Sequence, residues 1–468
     1  MSSSVHCLKY GCRQHKTDTI HRIVNQKTVI FVSNSGPDRL VGGVVSLIKP
    51  LAKRFEATWI SASNGITNQP THEDEGVVLK KVTLSPQIYK SYYDDFCNGG
   101  LWTLCHHQNI EPLFRDSDFN SYVAVNQLFA TEVIRCAEDI AEPIIFINDY
   151  QLALLPKLLR SALPHAKILF YWHIPWPAYG RLKACQWRIE LIDGILGADN
   201  VGFQTNQDRD HFISAMPEGL DIEGATNLGV YPASIEWPAL KNSQPGSMAE
   251  SRAAIAKQYQ LQASNYIYLS VDRVDYSKGI IERLHAIEKI LDLNPALIKN
   301  IQFIQVYVQT RPLVQKSREY ESQITELIAR INHQYGSNDW QPIISERHTL
   351  TKEQLTYLYR SVNCLWVSSL ADGQNLICKE FIASRDDDDG VLMLSKHAGA
   401  AKELSDAVIY DPLNENDAIR AFNQAISMGD SERKKRMISL RQRVRSYDVH
   451  LWMDQQLLDL REEALLAF

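Results

Sequence analysis

The chain has 468 residues, 45% apolar and 22% charged, which is the make-up of a globular protein of two or more domains and not of a disordered chain. Forty-nine Lys and Arg against 55 Asp and Glu leave a net charge of −6, which speaks against the clustered basic excess of a nucleic-acid binder. No run approaches the ~18 apolar residues of a membrane span, and the polar start from Met1 to Arg22 lacks a signal-peptide apolar region, so a cytoplasmic protein with neither a nucleic-acid nor a membrane partner is expected.

Residues 1–26 are polar, show no clear period and read as an N-terminal extension. Lys27–Ser33 is a β-branched run ending at Asn34-Ser35-Gly36-Pro37, the pattern of a buried strand meeting a loop. Gly42-Gly43 then opens a short apolar segment, Val44–Ile48, predicted as a helix stopped near Pro50. Glu142–Asn148 and Ala166–Trp172 are further buried strands, each followed by polar residues and then by helical pattern. The alternation breaks at Asn242–Ser247, a turn-rich linker, and then restarts. Strands are predicted over Tyr266–Val271, Gln302–Val308 and Cys364–Ser369, with helices over Ile280–Leu291, Ser317–His333 and Asn375–Ser384. The acidic run Asp386–Asp389 is expected to be a solvated turn. Strands alternating with helices imply parallel sheets covered on both faces, and hence an α/β fold. Two doubly wound halves, 27–241 and 248–448, would bind ligands at the carboxyl ends of their strands, across a cleft if they face each other.

Several standard sites are absent. The chain contains no G-x-G-x-x-G, no G-x-x-x-x-G-K-[ST], no G-x-S-x-G and no H-E-x-x-H. Its eight cysteines are scattered, without a Cys-x-x-Cys pair, so no disulfide framework is expected. His6, Cys7, Cys12 and His15 fit no standard zinc spacing, and no metal site is predicted.

Three groups carry candidate chemistry. The first is Asp272-Arg-Val-Asp-Tyr-Ser-Lys-Gly-Ile280, directly after a strand. Arg273 and Lys278 at a strand-to-helix turn suit a diphosphate, although a surface loop paired with Asp272 and Asp275 explains them as well. The second is Leu370–Glu380, where Asp372 and Gly373 precede a helix whose first N–H groups, from Gln374 to Leu376, can meet an anion or sugar hydroxyls. Glu380, eight residues beyond Asp372, can chelate a vicinal diol; an N-cap followed by an ordinary charged helix position is the alternative. The third places Asp149 and His173 at the ends of two strands, with Tyr93 and Trp102 as either a sugar-stacking wall or core aromatics.

From about Thr28 to the C-terminus, the order and spacing of these motifs resemble the trehalose-6-phosphate synthase family of retaining glycosyltransferases. The intervals Asp149-to-His173, Tyr93-to-Trp102, Arg273-to-Lys278, Arg273-to-Arg311 and Asp372-to-Glu380 all match the family pattern. The resemblance implies two Rossmann-like domains of GT-B type, with a C-terminal helix (449–468) returning to the first. It also implies glucosyl transfer from a nucleoside diphosphate glucose to a phosphorylated acceptor, foremost glucose 6-phosphate, with retention and without a cofactor. Carried over by position, Arg273 and Lys278 grip the donor diphosphate, with Gly43 approaching it. Asn375 and Leu376 offer backbone amides, Glu380 holds the ribose, and Asp372 and His173 bind the transferred sugar. Asp149 faces the acceptor, whose phosphate goes to Tyr93, Trp102 and Arg311.

The chain also departs from the family. Ser35 stands where the family has an acceptor-phosphate arginine after Ser-Asn, and Arg39 is a candidate substitute. Ala371 replaces a second family arginine, Ala178–Leu182 replaces an expected Glu-Ile-Phe stretch, and Ser234 replaces a usual glycine. The acceptor side is thus the altered one. A glucosylglycerol-phosphate synthase using ADP-glucose and glycerol 3-phosphate is accordingly the alternative enzyme, with an amino-cyclitol-coupling pseudo-glycosyltransferase ranked lower. A silent regulatory or scaffold protein is the non-enzyme alternative. The oligomeric state is left open, a homo-oligomer included.

Overall fold

The computed structural model describes residues 29–38, 42–63, 71–106, 110–217, 226–237, 246–262, 265–309 and 315–466. The N-terminal extension, with its His and Cys residues, lies outside them, as do Arg39, Arg311 and most of the 242–247 stretch. The chain forms two compact units, Met1–Tyr231 with Val449–Phe468, and Pro232–Asp448. The division falls ahead of the turn-rich stretch. Among the described residues no helix is long and apolar enough to cross a membrane.

The first unit is built on eight strands: β1 (Val29–Ser33), β2 (Thr58–Ser63), β3 (Thr71–Asp74), β4 (Val77–Thr83), β5 (Ile144–Asn148), β6 (Lys167–Tyr171), β7 (Asn200–Phe203) and β8 (Asn227–Val230). They lie in the order β3-β4-β2-β1-β5-β6-β7-β8, all parallel except β3, which runs antiparallel to β4. Every residue of β1 and β5 is buried, as expected of central strands covered on both faces. Helix α1 (Gly43–Arg54) does not stop near Pro50 as predicted. It runs on for four more residues because Leu47, Ile48, Leu51 and Ala52 are buried together, and their packing outweighs one missing N–H donor. Helix α2 spans Asp116–Ala137.

The second unit has six strands, β9 (Tyr266–Arg273), β10 (Ile301–Val308), β11 (Ile343–Glu346), β12 (Cys364–Val367), β13 (Val391–Ser395) and β14 (Val408–Tyr410). All are parallel, in the order β11-β10-β9-β12-β13-β14. Alternate side chains feed two cores. On one face Tyr268, Phe303 and Trp366 pack with α3 (Ile280–Leu293) and α4 (Gln315–Tyr335). On the other, Leu269, Ile304 and Leu365 meet Phe381 and Ile382 of α5 (Leu376–Ser384). Rossmann-like sheets of this kind reverse strand order at a single switch point, here between β9 and β12 and, in the first unit, between β1 and β5.

The acidic run is a partly exposed turn, as expected, but its carboxylates are engaged by arginines. Asp386 accepts from Arg360 at 2.9 Å, Asp387 from Arg385 at 3.0 Å, Asp388 pairs with Arg441 at 2.8 Å, and Asp389 pairs with Arg433. The side chains of Arg360 and Arg385 are almost wholly buried, and Arg385 also donates to the carbonyls of Tyr359, Arg360 and Val362, which end the helix Lys352–Ser361. Buried guanidinium groups need paired charge, and four successive acids supply it. The C-terminal helix α6 (Val449–Leu466) follows the second unit in sequence but packs on β7, β8 and α1 of the first. Its Trp452 is fully buried, 4.9 Å from the Tyr171 ring and 5.6 Å from that of Phe146, and donates to the Tyr231 carbonyl at 2.9 Å.

Candidate active site

In the second unit the candidate residues gather at the switch point. Strand β9 extends two residues beyond the predicted end, so Arg273 is its last residue and not part of the loop. The short 3-10 turn Tyr276–Lys278 then passes into α3 through Gly279, whose φ of +62° is left-handed. A Cβ at Gly279 would collide with the Ser368 carbonyl oxygen, so glycine is what lets this turn lie against the loop after β12. That contact is stitched by Leu370 N–H to Ser277 O at 2.7 Å and by Ser368 Oγ to Lys278 O at 2.8 Å.

Across this seam Lys278 Nζ lies 2.6 Å from Asp372 Oδ2. The same oxygen accepts from Ser369 Oγ and from Asn375 Nδ2, each at 3.1 Å. Three donors on one carboxylate oxygen orient Asp372 as a fixed acceptor, with Oδ1 as its second acceptor atom. Asp372 is therefore not the N-cap of α5. Asn375 is, in a left-handed conformation (φ +76°), its Oδ1 accepting from Cys378 N–H at 3.1 Å. Leu376 is the first helical residue and Glu380 lies in the second turn, closer to the start of the helix than its distance from Asp372 suggests. Burial pushes the Glu380 carboxyl above its ordinary range, while Lys352 and a hydrogen bond donated by Tyr359 OH at 3.2 Å oppose the shift. Deeper in, Lys379 pairs with Glu403 at 2.6 Å and donates to the Ala233 carbonyl at 2.6 Å. Arg283, buried, donates to Asp272, Ser368 and Gln305, so Asp272 is engaged by a core arginine.

In the first unit the candidates again sit at strand carboxyl ends. Asp149 follows β5 with φ +79° and ψ 165°, a region non-glycine residues adopt at a cost of about 1–3 kcal/mol. Its carboxylate accepts from Tyr150 N–H at 3.0 Å, and its own N–H donates to Tyr171 O at 2.8 Å. His173, two residues beyond β6, is half-buried, and burial holds its imidazole down to about 3, so the ring is neutral at physiological pH. Asn148 donates through Nδ2 to Phe146 O and presents Oδ1 to His173 Nε2 at 2.9 Å. That bond assigns the proton to Nε2 and leaves Nδ1 as an acceptor. Gly43 opens α1.

Tyr93 and Trp102 lie on a 13-residue π-helix, Lys90–Trp102, which nothing in the sequence reading anticipated. Trp102 is buried and stacked on His106, ring centroids 3.7 Å apart, whereas Tyr93 keeps partial exposure. The same helix is moored by Tyr92 OH to Asn34 Oδ1 at 3.1 Å and by Tyr150 OH to Asn98 Oδ1 at 3.1 Å. The departing stretch Ala178–Leu182 forms a short helix, Tyr179–Leu182, and its Arg181 donates to the Ile110 carbonyl. Ser234 is fully buried, and its Oγ has no hydrogen-bond partner among the described residues.

The structure thus brings Lys278, Asp372 and Asn375 together, and orders Asp149 and His173 at adjacent strand ends. Sequence reasoning missed Asn148, Ser369 and Tyr359, which orient His173, Asp372 and Glu380; ordinary polar residues in or beside strands and helices leave no spacing signal. Among the described residues no group of three or more His, Cys, Asp or Glu is placed to hold a metal ion.

The model of glycosyltransferase family 20 matches residues 21–462. A trehalose-6-phosphate synthase of Mycobacterium sp. (strain KMS) is 31% identical over 436 residues, 88% of each chain. The UDP-forming alpha,alpha-trehalose-phosphate synthase of Candida albicans is 30% identical over 437 residues, 88% of this chain and 90% of that one. Among solved structures, the UDP-forming synthase of Burkholderia xenovorans in complex with glucose-6-phosphate superposes with a TM-score of 0.86 at 27% identity, covering 93% of this chain and 100% of that one. An E. coli structure bound with UDP-2-fluoro glucose gives 0.84 at 27% identity, covering 93% and 99%.

Proposed function

This chain belongs to glycosyltransferase family 20 and is a glycosyltransferase, and we propose that it moves glucose, with retention, from UDP-glucose to glucose 6-phosphate to form trehalose 6-phosphate. The observation that carries this reading is the cluster in which Lys278, Ser369 and Asn375 converge on Asp372 at the switch point of the second unit's sheet.

The chemistry follows from the groups assigned. Breaking the bond between the anomeric carbon and the donor phosphate leaves positive charge on the sugar and negative charge on the departing diphosphate. Arg273 and Lys278 neutralise the diphosphate, Asn375 and Leu376 offer it backbone N–H groups, and Gly43 approaches it. Asp372 accepts from the sugar's hydroxyls, and His173, neutral, does so through Nδ1. Glu380 takes the ribose hydroxyls. On the acceptor side Asp149 binds the sugar, with Tyr93, Trp102 and Arg311 toward its phosphate. The departing phosphate itself takes the proton from the attacking hydroxyl on the same face, so no protein nucleophile is required.

Incubation with UDP-, ADP- and GDP-glucose against glucose 6-phosphate and glycerol 3-phosphate, read by product mass, tests the proposal. The expected result is trehalose 6-phosphate with UDP release, and a fall of at least ~30-fold in kcat for Lys278→Ala, the loss of one charge-assisted contact to a leaving group. Glucosylglycerol phosphate as the sole product, the outcome Ser35 raises, overturns the acceptor assignment. No nucleotide release from any pair overturns the enzyme.

A further inference from the structure

One polar row crosses three strands of the first unit near their carboxyl ends. Ser33 of β1 registers with Ser61 of β2, and Ser61 registers with Lys81 of β4, near the ends where open parallel sheets bind their ligands. Lys81 is an odd member of such a row. Its side chain is only 5% exposed, yet the carboxylate beside it, Asp38 Oδ1 at 2.7 Å, belongs to a side chain 61% exposed on the loop after β1. A buried ammonium requires an anion, and here the anion is reached from solvent.

The loop is shaped around that ammonium. Ser33 Oγ accepts from the Trp59 indole at 2.9 Å and donates to the Ser35 carbonyl at 2.8 Å, which turns the chain back over the strand ends. The next residue is Gly36. A Cβ there would stand 2.6 Å from Lys81 Nζ, 2.5 Å from Ser61 Oγ and 2.8 Å from Asp38 Oδ1, so those three polar atoms close directly against the bare backbone and leave no room for a side chain. Asn34, on the same loop, accepts from Tyr92 on the π-helix that carries Tyr93 and Trp102. A hydroxyl, an ammonium and bare backbone gathered at one point, with an exposed carboxylate in the anion's position, suit a phosphomonoester. Its two negative charges and three acceptor oxygens compete well against a single carboxylate.

We propose that Lys81, with Ser61 and the backbone at Gly36, binds the phosphate of the acceptor substrate, and that Asp38 holds the site when the phosphate is away. This rests on the reading of the chain as a transferase to a phosphorylated acceptor. It assigns the cation to β4, not to the loop where Arg39 was the candidate.

Titration calorimetry of the full chain with glucose 6-phosphate, glycerol 3-phosphate and inorganic phosphate, each on wild type, Lys81→Met, Lys81→Arg and Asp38→Asn, tests it. Lys81→Met is expected to weaken the phosphorylated ligands by about 10- to 100-fold, Lys81→Arg to restore most of that, and Asp38→Asn to leave affinity equal or tighter. UDP-glucose affinity should not move in any variant, and retained donor binding shows that Lys81→Met is folded. In turnover, KM for the acceptor should rise in Lys81→Met with the donor KM unchanged. Wild-type affinity for phosphate ligands in Lys81→Met overturns the site while leaving the transferase intact. Phosphate binding that depends on Lys81, without turnover from any donor, overturns the functional reading while leaving the site.

Discussion

His173 shows how one residue's surroundings decide its chemistry. A histidine in water is half-protonated near pH 6.5, but burial holds this one down to about 3, and Asn148 fixes its proton on Nε2. The consequence for stability has a definite sign. Because the folded value lies below the unfolded one, the unfolded chain binds the extra proton between them. Stability is whole above about 6.5 and is lost as the pH falls toward about 3. Between pH 7.5 and pH 5.5 wild type should therefore lose on the order of 1 kcal/mol more than His173→Gln, measured by denaturant unfolding at the two pH values. Identical pH dependence in the two proteins would show that the imidazole is not held neutral. The residue scale was partly legible. Asp149, His173, Lys278 and Asp372 stand out as charged or titratable groups at or just beyond strand ends, whereas Ser369 and Asn148 do not: Ser369 is an uncharged loop residue three positions before Asp372, and the role of Asn148 exists only once two strands lie side by side.

At the scale of elements, the turn from β9 into α3 depends on an atom that is missing. Gly279 has a left-handed φ, and any Cβ there would strike the carbonyl of Ser368 across the seam that also carries the Lys278–Asp372 pair. Gly279→Ala should destabilise the chain by ~2 kcal/mol or more and weaken UDP-glucose binding with it, since the seam must open to admit the methyl group. Gly180→Ala, with nothing within 4 Å of the new carbon, should leave both melting temperature and donor affinity near wild type. Comparable melting temperatures for the two variants would disprove the close approach. The Asp-Tyr-Ser-Lys-Gly wording announced a turn here. It did not announce the partner strand that makes the glycine obligatory, and the helix running through Pro50 and the π-helix at Lys90–Trp102 show the same limit. Local propensity ends helices at proline and gives no cue for a π-helix, while packing keeps both elements.

For the whole molecule, the last helix is an unusual dependency. Residues 449–466 follow the second unit in the chain yet supply core to the first, with Trp452 at zero exposure among Phe146, Tyr171 and the Tyr231 carbonyl. Trp452→Ala should cost about 3–5 kcal/mol, the range for emptying a buried tryptophan site, and should expose the first unit to proteolysis before the second. Limited proteolysis followed by mass mapping reads this directly, and first cuts confined to residues 246–448 would contradict it.

Hydrophobic runs of six or seven residues, alternating with helical pattern, were enough by themselves to determine two parallel α/β halves, six of the fourteen described strands and the strand ends at which ligand-binding residues stand, because burial on both faces writes itself into consecutive apolar residues. The other strands were not anticipated. Strand order, the switch points, the shared Asp372 oxygen and the row Ser33–Ser61–Lys81 were decided only by tertiary structure. Each of these depends on the register between segments far apart in the chain, and register leaves no local mark in composition or period.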